Sequence, residues 1–219
     1  MYRLLFRKTE NAVWISHLDL MRVFQRAFKR AGLPLIHTQG FNPRPSVSIA
    51  LPLPVGMESC CELLDFDLDG VSVSCEEICR RLNEVLISGV KVLNVYGDGK
   101  KLKELTYLDC AVVLDYDNDV PPEAINEIQA LFSRESLIVP KKGKNGVQDQ
   151  DMIPMIRELT VLELGDRSLT VRAVICCQNP SLNPMQLAAA IDLYLPQYKP
   201  DYVSCTRMEI FDASMNVFR

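Results

Sequence analysis

The sequence predicts an α+β protein of two tandem ferredoxin-like (βαββαβ) units with antiparallel sheets. Three observations lead there. Stretches alternating with a period of two, expected of half-buried strands, are interleaved with stretches of helical period. Over residues 1–100 their order is strand, helix, strand, strand, helix, strand, the split βαβ pattern, and the order recurs over residues 104–219. Between the two halves, residues 97–103 (GDGKKLK) are polar and glycine-containing, the composition of a boundary. The halves share this order without a residue-level repeat. At 48% hydrophobic and 24% charged residues, the 219-residue chain has enough apolar side chains to bury a core.

Residues 2–8 read as the first strand, and Glu10-Asn11 as a turn. Ser16 is a good N-cap with Asp19 three residues on, an S-x-x-D capping box. Leu20, Met21, Phe24, Ala27, Phe28 and Ala31 then fall at helical spacing, with Arg22, Arg26, Lys29 and Arg30 on the opposite side. Gly32 closes the helix in the left-handed region and Pro34 prevents it resuming. Residues 35–38 read as extended. The loop 39–45 (QGFNPRP) is fixed by two prolines and a glycine. Strands follow at 46–51 and 60–68, separated by Pro52, Pro54 and Gly56. Ser74 and Glu77 form a second box, opening a helix whose apolar face is Cys75, Ile78, Cys79, Leu82, Val85 and Leu86. Gly89 ends it, and 90–96 is a closing strand.

In the second half, 105–116 is a strand. Residues 122–132 form a helix with proline in its first turn and a stripe of Ile125, Ile128, Leu131 and Phe132. Residues 137–140 are extended, and 141–150 (KKGKNGVQDQ) read as a polar, mobile loop. Residues 156–164 and 168–177 make a hairpin turned at Gly165-Asp166. Asn183 caps a helix with Pro184 at its first position and Gln186 as box partner. That helix runs to Leu195 and stops at Pro196, and 202–211 is the last strand.

No apolar run approaches the ~20 residues that span a bilayer, so no membrane partner is expected. Met1 leads into YRLLFRK, unlike a secretory signal, which points to the cytoplasm. The eight cysteines contain no C-x-x-C and include two adjacent pairs, Cys60-Cys61 and Cys176-Cys177. Neighbours in a strand face opposite ways, so free thiols acting as small hydrophobes are expected. Zinc needs about four ligands and the chain has two histidines, so no metal site is expected. Charge is uneven: residues 1–50 carry eight Lys/Arg against two acids, the remainder sixteen against twenty-six. A basic end on an acidic body suggests a local anionic partner.

Residues 14–62 hold both histidines, the single tryptophan and the densest positive charge. The binding candidates are His17 at the helix start, where an anion would bind, the basic stripe Arg22, Arg26 and Arg30, and His37 before the loop. With them stand Phe41, Asn42 and Arg44, an apolar anchor, a neutral polar reader and a planar cation on a rigid loop. His17, Asp19 and Glu62 are the candidate acid–base set for an enzyme. The stripe and the GFNPRP loop suit contact with structured RNA, although the basic-aromatic strand used for base stacking on a sheet is absent. No Ser-His-Asp arrangement, P-loop or dinucleotide fingerprint appears.

Several motifs carry a resemblance: residues 16–21 (SHLDLM), the helix end Arg26-Ala27 and 30–34 (RAGLP), 40–45 (GFNPRP), 51–56 (LPLPVG) followed by Glu58-Ser59, 151–156 (DMIPMI) and 181–184 (SLNP). They resemble the radical-SAM-linked protein family, a domain of unknown function encoded beside, or fused to, radical SAM proteins with a B12-binding-type domain. That pattern implies histidine or arginine at 44 and an acid after Ser59. Arg44 fits, while Cys60-Cys61 stand before Glu62. The resemblance implies an accessory protein that binds such a partner and presents its substrate. An iron–sulfur cluster needs closely spaced thiolates. Cys75 and Cys79 lie on an apolar helix face with leucine at 82, so the cluster, S-adenosylmethionine and cobalamin are expected on the partner only.

Overall fold

β1 (Tyr2–Lys8) turns Leu4 and Phe6 to one face, where both are wholly buried. Leu20, Phe24, Ala27 and Phe28 of α1 (His17–Arg30) meet them there, with the Phe6 and Phe24 rings edge to face at 4.8 Å. β2 (Val47–Ile49), β3 (Glu58–Phe66), α2 (Cys75–Val85) and β4 (Val90–Gly97) complete this part of the chain. β1 pairs antiparallel with β3 on one side and β4 on the other, and β2 pairs with β3, giving the order β4-β1-β3-β2. Ile78 and Leu82 of α2 join the same core as α1, so both helices serve one face of the sheet.

The computed structural model describes residues 1–143 and 146–219. They divide into two compact units, Met1–Glu104 with Arg219, and Leu105–Phe218. The second unit consists of β5 (Leu105–Asp115), α3 (Glu123–Phe132), β6 (Ile138–Gly143), β7 (Gly146–Asp151), β8 (Ile156–Gly165), β9 (Ser168–Cys176), α4 (Met185–Tyr194) and β10 (Tyr202–Asp212). Its main strands run β10-β5-β9-β8, all antiparallel. Alternation along β5 buries Leu108, Cys110, Val112 and Leu114. Ile128 and Leu131 of α3 and Leu187 and Ile191 of α4 are buried likewise. The chain is thus a mixed α+β protein whose strand pairing is mostly antiparallel.

Ser16 and Ser74 cap their helices as expected, and Asn183 makes both bonds of its expected box from one position before the N-cap of α4. Ser16 Oγ accepts from the Asp19 N–H and Ser74 Oγ from the Glu77 N–H. Asn183 Oδ1 accepts from the Met185 N–H at 3.1 Å while Gln186 Oε1 accepts from the Asn183 N–H at 3.2 Å. Three expectations need correction. The turn at Glu10-Asn11 is a longer 3-10 turn, Glu10–Trp14. Pro122 and Pro184 sit at the N-caps of α3 and α4, one position before the helices begin. The loop expected over 141–150 is, where described, the hairpin of β6 and β7 (positions 144 and 145 lie outside the described residues). Its pairing is backbone-driven: 146–149 are exposed and carry no apolar alternation for sequence reading to detect.

The interior also holds charge. Arg3 is 2% exposed and grips Asp65 with two bonds, Nε–Oδ1 at 2.6 Å and Nη2–Oδ2 at 2.9 Å, while Nη1 donates to Lys100 O at 2.8 Å. On α2, Glu77 accepts from Arg80 and Arg81, which lower its carboxyl to about 2. All eight cysteines are unbridged, and burial pushes the Cys177 and Cys205 thiols up to about 12. No helix among the described residues is long and apolar enough to cross a membrane.

Two measurements check this packing. Gly89 has φ +80, and a Cβ there would lie 2.3 Å from Thr9 O and 2.8 Å from Ala12 Cβ. Gly89→Ala is therefore expected to cost at least about 2 kcal/mol in denaturant unfolding, whereas Gly97→Ala, with open space around it, stays within about 0.5 kcal/mol. The folded-state pKa of Glu77 is depressed, so its contribution is complete above the unfolded value near 4.5 and is lost as pH falls through about 2. Far-ultraviolet circular dichroism should show less acid-induced loss of stability over that window in Glu77→Gln than in the parent chain.

Candidate functional site

The entrance to α1 is fixed from inside. Lys8 is 1% exposed, and its Nζ donates to Val13 O at 3.2 Å and Ile15 O at 3.0 Å. Gly56 N also donates to Val13 O at 2.9 Å, and Trp14 packs its ring edge over Gly56 while remaining largely exposed. Burial pulls the Lys8 ammonium below its usual range, and the charge of Glu62 opposes that shift. Ser16 then caps the helix and donates its hydroxyl to Asp19 Oδ2 at 2.7 Å, and Arg22 Nη1 donates to Asp19 Oδ1 at 2.8 Å. The Ser16 hydroxyl first, and Arg22 second, hold the Asp19 carboxyl below its usual value.

α1 ends in a Schellman motif. Leu33 N donates to Phe28 O at 3.0 Å and Gly32 N to Lys29 O at 3.3 Å, with Gly32 at φ +65. The chain then bridges Leu35 to Leu68 and His37 to Pro45. Residues 36–46 become a clamped hairpin: Ser46 N donates to Ile36 O at 2.7 Å, Thr38 N to Arg44 O at 2.8 Å and Arg44 N to Thr38 Oγ1 at 3.1 Å. Positions 39–44 beyond this clamp stand in solvent. Phe41 reaches 106% exposure, which no core requirement explains. Asn42 and Arg44 are exposed beside it.

Between α1 and the base of this hairpin lies a groove of ≈ 360 Å³. Pro34, Leu35 and Pro45 supply apolar lining, and Gln25, Lys29, His37 and Asp69 the polar part. Gln25 Nε2 reaches Pro45 O at 3.5 Å, and Asp69 N donates to Pro34 O at 2.9 Å, so helix, hairpin and the turn after β3 are tied together. Sequence reading missed Gln25 and Asp69. Asp69 arrives through the pairing of residues 35 and 68, for which no local signal exists.

The predicted site residues therefore separate. His37, Phe41, Asn42 and Arg44 share the hairpin, with Arg26 and Lys29 exposed on α1. Among the described residues no acid pairs with Arg26, Lys29 or Arg44. Arg22 is occupied by Asp19. Arg30 is exposed on α1 and also ties the helices, its Nη2 donating to Val85 O at 2.7 Å at the C-terminal end of α2. His17 is half-buried at the first position of α1, and Asp19 already supplies negative charge to that helix end. The acid–base set His17, Asp19 and Glu62 is not assembled. Asp19 is open to solvent, whereas Glu62 is 1% exposed on β3 within the field of Lys8. Among the described residues no three His, Cys, Asp or Glu side chains are grouped to hold a metal ion.

A family profile described as an uncharacterized protein conserved in bacteria (DUF2344) matches residues 1–184. The chain belongs to the DUF2344 family. No curated protein matches it. Among solved structures it is similar to a chain of a Cbf5-Nop10-Gar1 complex, with TM-score 0.53 and 9% identity over 95% of this chain and 48% of that one. It is also similar to a chain of an H/ACA RNP bound to a substrate RNA containing 2'-deoxyuridine, with TM-score 0.50 and 8% identity over 94% and 46%. The DUF2344 chain spans about half the length of those chains, and at such identity the likeness is one of fold alone.

If the hairpin tip serves a ligand rather than the fold, Phe41→Ala and Arg44→Ala will each leave unfolding free energy within about 0.5 kcal/mol of the parent. Phe24→Ala, in the wholly buried core, should lose about 3–5 kcal/mol in the same assay.

Proposed function

We propose that this DUF2344 protein binds structured RNA at an unpaired segment, using the 36–46 hairpin and the adjoining face of α1. The observation that carries this is the fully exposed Phe41 on a backbone-clamped hairpin next to Arg44. An aromatic ring held in water by a rigid hairpin is a stacking platform for a splayed base, and sequence-specific RNA contacts concentrate on such unstacked bases. Arg44, Arg26 and Lys29 then meet the phosphates. We also infer that both units are ferredoxin-like βαββαβ folds, a reading supported by their strand orders, β4-β1-β3-β2 and β10-β5-β9-β8. Eight unbridged cysteines support a reducing, cytoplasmic location.

A second reading is favoured by a different observation. Trp14, Leu18 and Val55 are exposed apolar side chains around the start of α1, a composition suited to a protein partner. In this reading the chain is an accessory subunit of a radical SAM enzyme with a B12-binding-type domain, and the iron–sulfur cluster, S-adenosylmethionine and cobalamin reside on that partner. Co-purification of the two proteins with the cluster intact, weakened by Trp14→Ala, supports it. Separate elution under anaerobic conditions removes it.

For the RNA reading, fluorescence anisotropy with a labelled single strand should give an affinity that falls steeply with salt. Replacing Arg26, Lys29 and Arg44 together by alanine should make the slope of log K against log salt shallower by about 2, at about 0.7 per phosphate contact. Phe41→Ala should weaken binding by about tenfold or more. An unchanged slope in the triple variant would overturn the assignment.

A further inference from the structure

We propose that the groove between α1 and the hairpin base receives one unpaired guanine of the bound RNA, with Asp69 reading its Watson–Crick edge. This rests on the RNA reading above. The groove's ≈ 360 Å³ lies within the about 300–1,000 Å³ typical of small-ligand pockets. Pro34, Leu35 and Pro45 offer apolar surface to the faces of a base, and the polar groups mark what its edges must carry. Asp69 is the one acid in the described lining, and Lys29 is the one Lys or Arg there. Among the described residues Asp69 has no ion-pair partner, and its backbone N–H is tied to Pro34 O at 2.9 Å, which holds it at the groove's edge.

An ionised carboxylate only accepts hydrogen bonds. It repels a phosphate, so a groove built for phosphate alone has no use for it. Among bases, guanine presents two adjacent donors, N1–H and the N2 amino group, to match the two carboxylate oxygens. Adenine presents an acceptor at N1 and cytosine one at N3, while uracil has a single N3–H flanked by two carbonyls. His37 joins the groove to the hairpin that carries Phe41, so a base held in the groove and a neighbour stacked on Phe41 belong to one strand.

The test compares the full chain's affinity for labelled oligouridylate and for the same strand carrying one central guanosine, adenosine or inosine. The guanosine strand should bind about tenfold tighter than the adenosine strand, the scale of one good bidentate base contact. Inosine, which lacks the N2 amino group, should fall between them. Asp69→Asn should erase the guanosine preference without altering the melting temperature. Equal affinity for the guanosine and adenosine strands, or a preference that survives Asp69→Asn, overturns the assignment of the groove while the RNA reading stands. Failure of every strand, oligouridylate included, to bind at low salt overturns both.

Discussion

A buried ammonium governs how the first unit presents itself. Lys8 lies at the end of β1, sealed from water, and its Nζ is satisfied by the carbonyls of Val13 and Ile15. Those two carbonyls fix the path of the chain on either side of Trp14. Ser16, the next residue, then caps α1. The start of α1 is thus set from within the sheet, and every side chain α1 contributes to the surface inherits that setting. An unmet buried carbonyl costs about 1–3 kcal/mol, so the arrangement is strongly specified although it involves few atoms. The far end of α1 is held by Arg30 reaching Val85 O and by the Schellman turn at Gly32.

With α1 held at both ends, the surface sorts into two kinds of cation. Arg22 and Arg30 are spent on the protein itself, one on Asp19 and one on the end of α2. Arg26, Lys29 and Arg44 stay open to solvent, Arg44 on the hairpin and Lys29 in the groove beside it. A row of like charges at helical spacing conceals this difference. It emerges only from where the neighbouring carbonyls and carboxylates lie.

That difference explains what the sequence made legible. The caps at Ser16 and Ser74 and the box bonds at Asn183 were readable because each is closed within three residues. The core stripes of α1 and α2 were readable because helical period and burial coincide. The β6–β7 hairpin was not, because its outer residues bury nothing. Glu62 was expected at a site with Asp19, yet its position on β3 puts it inside, a depth that residue type and spacing do not encode. The hairpin was recognised as a rigid loop from its prolines and glycine, but its groove was invisible. Asp69 reaches it only after Leu35 pairs with Leu68.

The clamp at the hairpin base is made of backbone groups and one threonine hydroxyl, and positions 39–44 beyond it stand in solvent. Apart from Gly40, whose φ of +135 favours glycine, and the two prolines that stiffen the loop, folding places little demand on which side chains occupy the tip. Selection acting on recognition can rewrite Phe41 and Asn42 independently of the scaffold, and an engineer can do the same. The tip is an interchangeable reading head on a fixed mount, and diversification of what it recognises need not be constrained by stability.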